Sequence, residues 1–248
     1  MTELPKALTD LGRSIQSYLL PVFVGDIRSE QSAIESNGTA FLFKPGSTPF
    51  LVTAGHVFDA AVASEKSTSS GKTGVGDCRM AFQGRLIGRS NLLDVATIRV
   101  SEEEAKHLGG NFVPRGRSVW PPPAPNENDL AVLAGYPGVE RHQIDDDEVS
   151  LGIYSAYLRV GSIGPRHVRF TINPSELMDF LGTGLPEDNY PLGGLSGAPV
   201  ILLENETELK WRLCGVVTDQ GSVFEQDFVL AARADYILES GEINEPPA

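Results

Sequence analysis

The feature that most restricts the fold is a succession of short apolar or alternating runs, cut apart by Gly, Pro, Ser and Asn. "LPVFVGD", "GTAFLFKP", "PFLVTAGHVF", "MAFQGRLIGRS" and "DVATIRV" follow one another in the first half. Such runs are too short for helices and carry turn residues between them, the pattern of sandwich or barrel strands. Residues 114–128, "PRGRSVWPPPAPNEN", then interrupt the series with five prolines. Proline cannot donate to a sheet ladder, so this stretch reads as a connector. Strands resume with "DLAVLAGYPG", "VSLGIYSAYLRVGSIG", "HVRFTIN", "APVILLEN", "LKWRLCGVVTDQG" and "DFVLAARA". The expectation is an all-β chain with two six-stranded antiparallel β-barrels, residues 21–113 and 129–234. Helical spacing of Ala7, Leu8, Leu11, Ile15, Tyr18 and Leu19 predicts a short helix within residues 1–20. The closing "ADYILES" predicts a C-terminal helix and tail over residues 235–248.

A chain of 248 residues can bury a substantial core. Its formal net charge of −13 argues against nucleic acid or an anionic membrane as a partner, since both require clustered Lys and Arg. A basic substrate is compatible with that charge. Two cysteines, Cys78 and Cys214, are too few for a disulfide framework. The N-terminus lacks the basic start and continuous apolar stretch of an export signal, and no apolar run approaches the ~20 residues that span a bilayer. These observations predict a cytoplasmic protein. No histidine shows metal-type spacing, so neither metal nor cofactor is expected, and His107, His142 and His167 read as surface residues. Residues 64–77 read as a polar surface loop, and "DDDE" at 145–148 as a solvated acidic loop.

Chemistry is concentrated in three places. Ser196 lies among glycines in "NYPLGGLSGAPVILLE", a segment that alone fits a tight turn as well as a nucleophile. His56 ends the run "FLVTAGH", so its ring emerges at a strand end where a cleft can open. Asp94 stands amid apolar residues in "NLLDVATIRV", where a carboxylate is expensive to bury unless something meets its charge. An imidazole N–H is one such partner, and the contact fixes the histidine tautomer for base chemistry. Chain order separates the serine-hydrolase frames. The α/β-hydrolase elbow needs a histidine after the serine, and none follows His167. The subtilisin order needs an acid before the histidine, where Asp26 is a poor candidate. The order His56, Asp94, Ser196 remains, which is the chymotrypsin order.

Together "FLVTAGHVF", "LLDVATIRV" and "GGLSGAPV" resemble the trypsin/chymotrypsin-like serine peptidases, nearest in flavour to bacterial, disulfide-free members of the high-temperature-requirement type. The similarity runs from about Phe23 to Tyr236. It implies a chymotrypsin-like pair of barrels with His56, Asp94 and Ser196 as the catalytic triad. It further implies an oxyanion hole from the backbone amides of Gly194 and Ser196, and a Thr218 hydroxyl supporting Asp94. Asp219 and Gln220 would edge the substrate groove, and Tyr190 would lie at the base of the primary specificity pocket. Three positions depart from the family pattern: Gly55 replaces the usual alanine before the histidine, Leu195 precedes the serine, and Ala198 replaces a glycine after it. The function implied is a serine endopeptidase acting on polypeptide; the lack of disulfides, export signal and visible appended domain adds the expectation of a specific cytoplasmic target or of switching by a regulatory protein partner. A catalytically silent peptide-binding module and an esterase on the same frame are the alternatives.

Overall fold

The computed structural model describes residues 14–24, 36–67, 73–116, 120–143, 149–172, 192–205, 210–223 and 226–246. The first half contains β1 (Leu19–Val24), β2 (Ser36–Phe43), β3 (Phe50–Ala54), α1 (Gly55–Ser67), β4 (Thr73–Val75), β5 (Cys78–Arg79), β6 (Leu86–Ser90), β7 (Val95–Arg99), α2 (Glu102–His107) and β8 (Phe112–Val113). These strands form one sheet in the order β5-β4-β1-β2-β3-β7-β6, with β8 pairing β2. The second half contains β9 (Leu130–Gly135), the hairpin β10 (Arg141–Gln143) and β11 (Val149–Leu151), then β12 (Tyr154–Ile163), β13 (His167–Thr171), β14 (Pro199–Asn205), β15 (Lys210–Val223) and β16 (Gln226–Arg233). Six of them close a barrel in the order β12-β13-β16-β15-β14-β9.

Side-chain alternation explains why the strands read as continuous apolar runs. Phe41 and Phe43 of β2 and Phe50 and Val52 of β3 point into a core shared by both halves, while Leu42 and Leu51 point into the first sheet's own core. In the barrel, Val132 of β9 and Ile201 of β14 enter the same shared core, and Leu133 and Val200 fill the barrel interior. Both faces of these strands are therefore dry, and polar alternation disappears. The connector contributes as well. Trp120 is 4% exposed, packs edge-on to Phe43 with ring centroids 4.7 Å apart, and donates its indole N–H to the Ile237 carbonyl at 2.6 Å.

Three expectations are corrected. The second barrel closes with six strands, but the first sheet stays open, running from the two-residue edge strand β5 to β6. The first half also holds two helices. Helix α1 continues straight from β3 and puts Val57, Phe58 and Ala61 into the first core, so the stretch read as a surface loop over residues 64–77 begins with the end of this helix, residues 64–67, and includes strand β4, Thr73–Val75. Helix α2 is closed by a capping box between Ser101 and Glu104.

The C-terminal helix is absent. A single 3-10 turn at Ala234–Tyr236 gives way to an extended tail, in which Ile237 bridges to Ile243. The Trp120 indole takes the Ile237 carbonyl and the Thr97 hydroxyl donates to the Gly241 carbonyl, so groups a helix would use internally are claimed by the rest of the fold. Of the N-terminal helix, only residues 14–18 are described; they form a last helical turn that buries Ile15. The acidic run at 145–148 lies outside the described residues.

Candidate active site

His56 is the second residue of α1, placed there because β3 ends and the helix begins without a loop. Asp94 stands directly before β7, whose Val95 pairs with Ala54 of β3. That register brings residues 55 and 94 together, and the Gly55 amide donates to the Asp94 carbonyl at 2.8 Å. The Asp94 backbone is left-handed, with φ 53°, a conformation aspartate tolerates better than most side chains. Its neighbours Leu93 and Val95 are buried in the shared core, which pins the turn from both sides. The carboxylate grips His56 twice: Oδ1 accepts from the backbone amide at 2.9 Å and Oδ2 meets ring Nδ1 at 2.6 Å. This hydrogen bond holds the His56 pKa above the usual imidazole range. Burial opposes it, the Asp94 charge reinforces it, Arg89 pulls downward and Asp219 pushes upward.

Ser196 sits in the turn that leads into β14, and the first half builds its seat. The Thr39 amide donates to the Ser196 carbonyl at 2.9 Å, and the Thr53 hydroxyl donates to the Thr39 carbonyl at 2.8 Å. The Thr39 hydroxyl accepts from the Tyr136 amide at 3.0 Å and donates to the Gly194 carbonyl at 3.1 Å. Thr39 and Thr53 are both fully buried. Gly197 has φ 89°, and a Cβ there would lie 2.0 Å from the Thr39 carbonyl oxygen and 2.9 Å from the Ala54 nitrogen. The serine turn thus presses on the strand end that delivers His56. Within the turn, the amides of Leu195, Gly197 and Ala198 bond to Leu192, Val217 and Leu195 carbonyls. The amides of Gly194 and Ser196 have no partner among the described residues.

The other expected residues divide. Thr218 is buried, but its hydroxyl reaches the Leu230 carbonyl at 3.5 Å rather than Asp94. Asp219 and Gln220 are exposed on β15, beyond the point where its pairing with β14 ends at Pro199–Val216. The Gln220 side chain spans to the serine turn; with its amide turned so that both ends are satisfied, the nitrogen donates to the Leu192 carbonyl at 3.0 Å and the oxygen accepts from the Gly193 amide at 3.1 Å. Tyr190 and the side chain of His142 lie outside the described residues.

His167 corrects the reading as a surface residue. It is half-buried against the Leu93 backbone, feels both Asp94 and Asp219, and burial lowers its pKa. Nothing in "GPRHVRF" announces this, because β13 and the Asp94 turn are far apart in the chain. Arg89 was also missed. Its Nη2 lies 2.7 Å from Asp59 Oδ2 and 3.6 Å from Asp94 Oδ1. Among the described residues, no group of three or more His, Cys, Asp and Glu could hold a metal ion, and no helix is long and apolar enough to cross a membrane. Both cysteines are free.

An imidazole–carboxylate pair stands at the end of β3, and a glycine-bracketed serine turn presses on that same strand end, on one open sheet and one closed barrel. The trypsin-like peptidase domain model matches residues 38–208, and the chain belongs to that family. No curated protein matches the sequence. A solved structure from work on aromatic interactions that drive the coupled folding and binding of the intrinsically disordered Sesbania mosaic virus VPg protein aligns over 87% of this chain and 85% of that one. The identity is 15% and the TM-score 0.46, too distant to bear on function.

Proposed function

We propose that the chain is a serine endopeptidase that cleaves polypeptide through an acyl-enzyme. Ser196 Oγ attacks the scissile carbonyl while His56 Nε2 takes its proton, then returns it to the leaving amine. Asp94 fixes the ring with Nδ1–H inward and stabilises the imidazolium. The amides of Gly194 and Ser196 receive the oxyanion, a contribution worth about 10²–10³ in turnover per donor. Substrate adds as a strand along residues 218–220 of β15, on the edge that β14 leaves, with Asp219 and Gln220 at the groove.

The observation that carries this reading is the two-point grip of Asp94 on His56 beside the Ser196 turn. A catalytically silent peptide-binding domain would need no such pair. The test is labelling with a fluorophosphonate probe. Wild type is expected to label at Ser196 and S196A not at all, and parallel ester and peptide substrates separate esterase from peptidase. Failure of wild type to label would remove the enzyme.

A further inference from the structure

The residue before the histidine is glycine, and the structure gives that glycine a reason. A Cβ at residue 55 would lie 2.2 Å from both Cζ and Nη1 of Arg89, and 2.5 Å from Nη2. The guanidinium occupies the space that a Cβ at residue 55 would take, and its side chain is only 16% exposed. It arrives from β6, next to β7 in the sheet, and is held at three points. Nη1 donates to the Ser90 carbonyl, Nη2 pairs with Asp59 Oδ2, and Nη2 also faces Asp94 Oδ1 at 3.6 Å. Asp94 Oδ1 is the oxygen that accepts from the His56 amide. The Thr218 hydroxyl is engaged elsewhere. Arg89 is therefore the cation beside the carboxylate that orients the imidazole.

We propose that Arg89 is a positioning residue for the Asp94–His56 pair, admitted by Gly55 and anchored on its outer side by Asp59. It rests on the peptidase reading, because the pair it positions is the one assigned to catalysis. The guanidinium fork holds Asp59 through Nε and Nη2, which fixes the charge that Nη2 presents to Asp94 at 3.6 Å, and a single ammonium would do so less well. Its charge opposes protonation of His56. The charged and titratable groups around the ring are Asp94 before β7, Arg89 on β6, Asp59 on α1 and Asp219 on β15. From the barrel side His167 feels the Asp94 charge and is itself opposed by Arg166. Arg89 supplies the cationic counterweight from within the first sheet.

The test uses the full chain with R89M, R89K and G55A, and two readouts. The first is NMR titration of the His56 ring. The second is the pH dependence of fluorophosphonate labelling at Ser196. R89M is expected to move the His56 titration to higher pH and to slow labelling about 10-fold to 100-fold, through loss of orientation. R89K keeps the titration near wild type while labelling stays slow, separating charge from fork geometry. G55A expels the guanidinium without deleting it and should reproduce R89M, with the G55A/R89M double variant no worse than either. It also serves if R89M fails to fold. A His56 titration unmoved in both R89M and G55A overturns the proposal. Absence of labelling in wild type overturns the peptidase reading instead, and the titration still decides the role of Arg89.

Discussion

Thr39 of the open sheet and Gly194 of the serine turn are joined by one buried hydroxyl, which donates to the Gly194 carbonyl at 3.1 Å while accepting the Tyr136 amide at 3.0 Å. The same residue's amide holds the Ser196 carbonyl. The carbonyls of residues 194 and 196 are thus tied down by the first half, which fixes the backbone of the turn that carries Ser196. The serine turn belongs to the barrel in sequence and is held by the sheet through these hydrogen bonds.

T39V keeps the volume and removes the hydroxyl, leaving the Tyr136 amide and Gly194 carbonyl unpaired. Each buried orphan costs about 1–3 kcal/mol. Thermal melting should show that loss, and Ser196 labelling should fall by an order of magnitude or more, as expected when an oxyanion donor is misplaced. T39S is expected to restore most of both.

D94N should lower the labelling rate on the order of 10⁴-fold, the cost of an unfixed tautomer. The hydrogen bond from Asp94 is the largest cause raising the His56 pKa, so wild-type activity should rise with pH through a value above the ordinary ~6.5. In D94N that limb moves to lower pH while its plateau drops. The raised pKa contributes stability that is complete below the unfolded value and lost as pH climbs through the folded one. A D94N profile with an unmoved limb would contradict this.

His167 acts with the opposite sign. Burial lowers its pKa, so its contribution to stability is present above the ordinary value and lost as pH falls through the folded one. Protonation forces a charge into the seam beside Leu93 and Asp94. Melting temperature followed from about pH 7 to about pH 5 should fall less steeply in H167Q than in wild type.

Thr218 is expected to matter little. Its hydroxyl makes one long bond to the Leu230 carbonyl, worth about 1 kcal/mol or less. T218V should label within about threefold of wild type. A loss of 100-fold would mean that the hydroxyl serves Asp94 during turnover.

The three candidate residues stood out because their motifs are local: a strand ending in His56, a polar residue amid an apolar run at Asp94, and a glycine-bracketed Ser196. Their order eliminated the competing frames. What could not be read was set by contacts across the chain. Arg89 looks like an ordinary polar residue in "LIGRS", and only the unusual Gly55 hinted that something large covers that backbone. Thr39 looks like an alternating strand residue, and its service to residues 136, 194 and 196 depends on the two halves meeting. Helix α1 was readable from Val57, Phe58, Ala61 and Ser64 at helical spacing, but the strand pattern before it concealed where it begins. The "SEEE" box at Ser101 and Glu104 likewise marked α2. The final helix failed for the reverse reason: local spacing favoured it, and tertiary partners for the carbonyls of Ile237 and Gly241 overruled it.

Phe41, Phe43 and Phe50 from the open sheet interlock with Val132, Ile201 and Leu213 from the barrel, and Trp120 wedges in beside them. Neither half has a finished exterior on that side. Severed between the two, each fragment would present a sticky aromatic flank to water, and only remixing both pieces would recover a soluble particle. Cleft and keel are one object: whatever loosens the hydrophobic weld also unseats the serine.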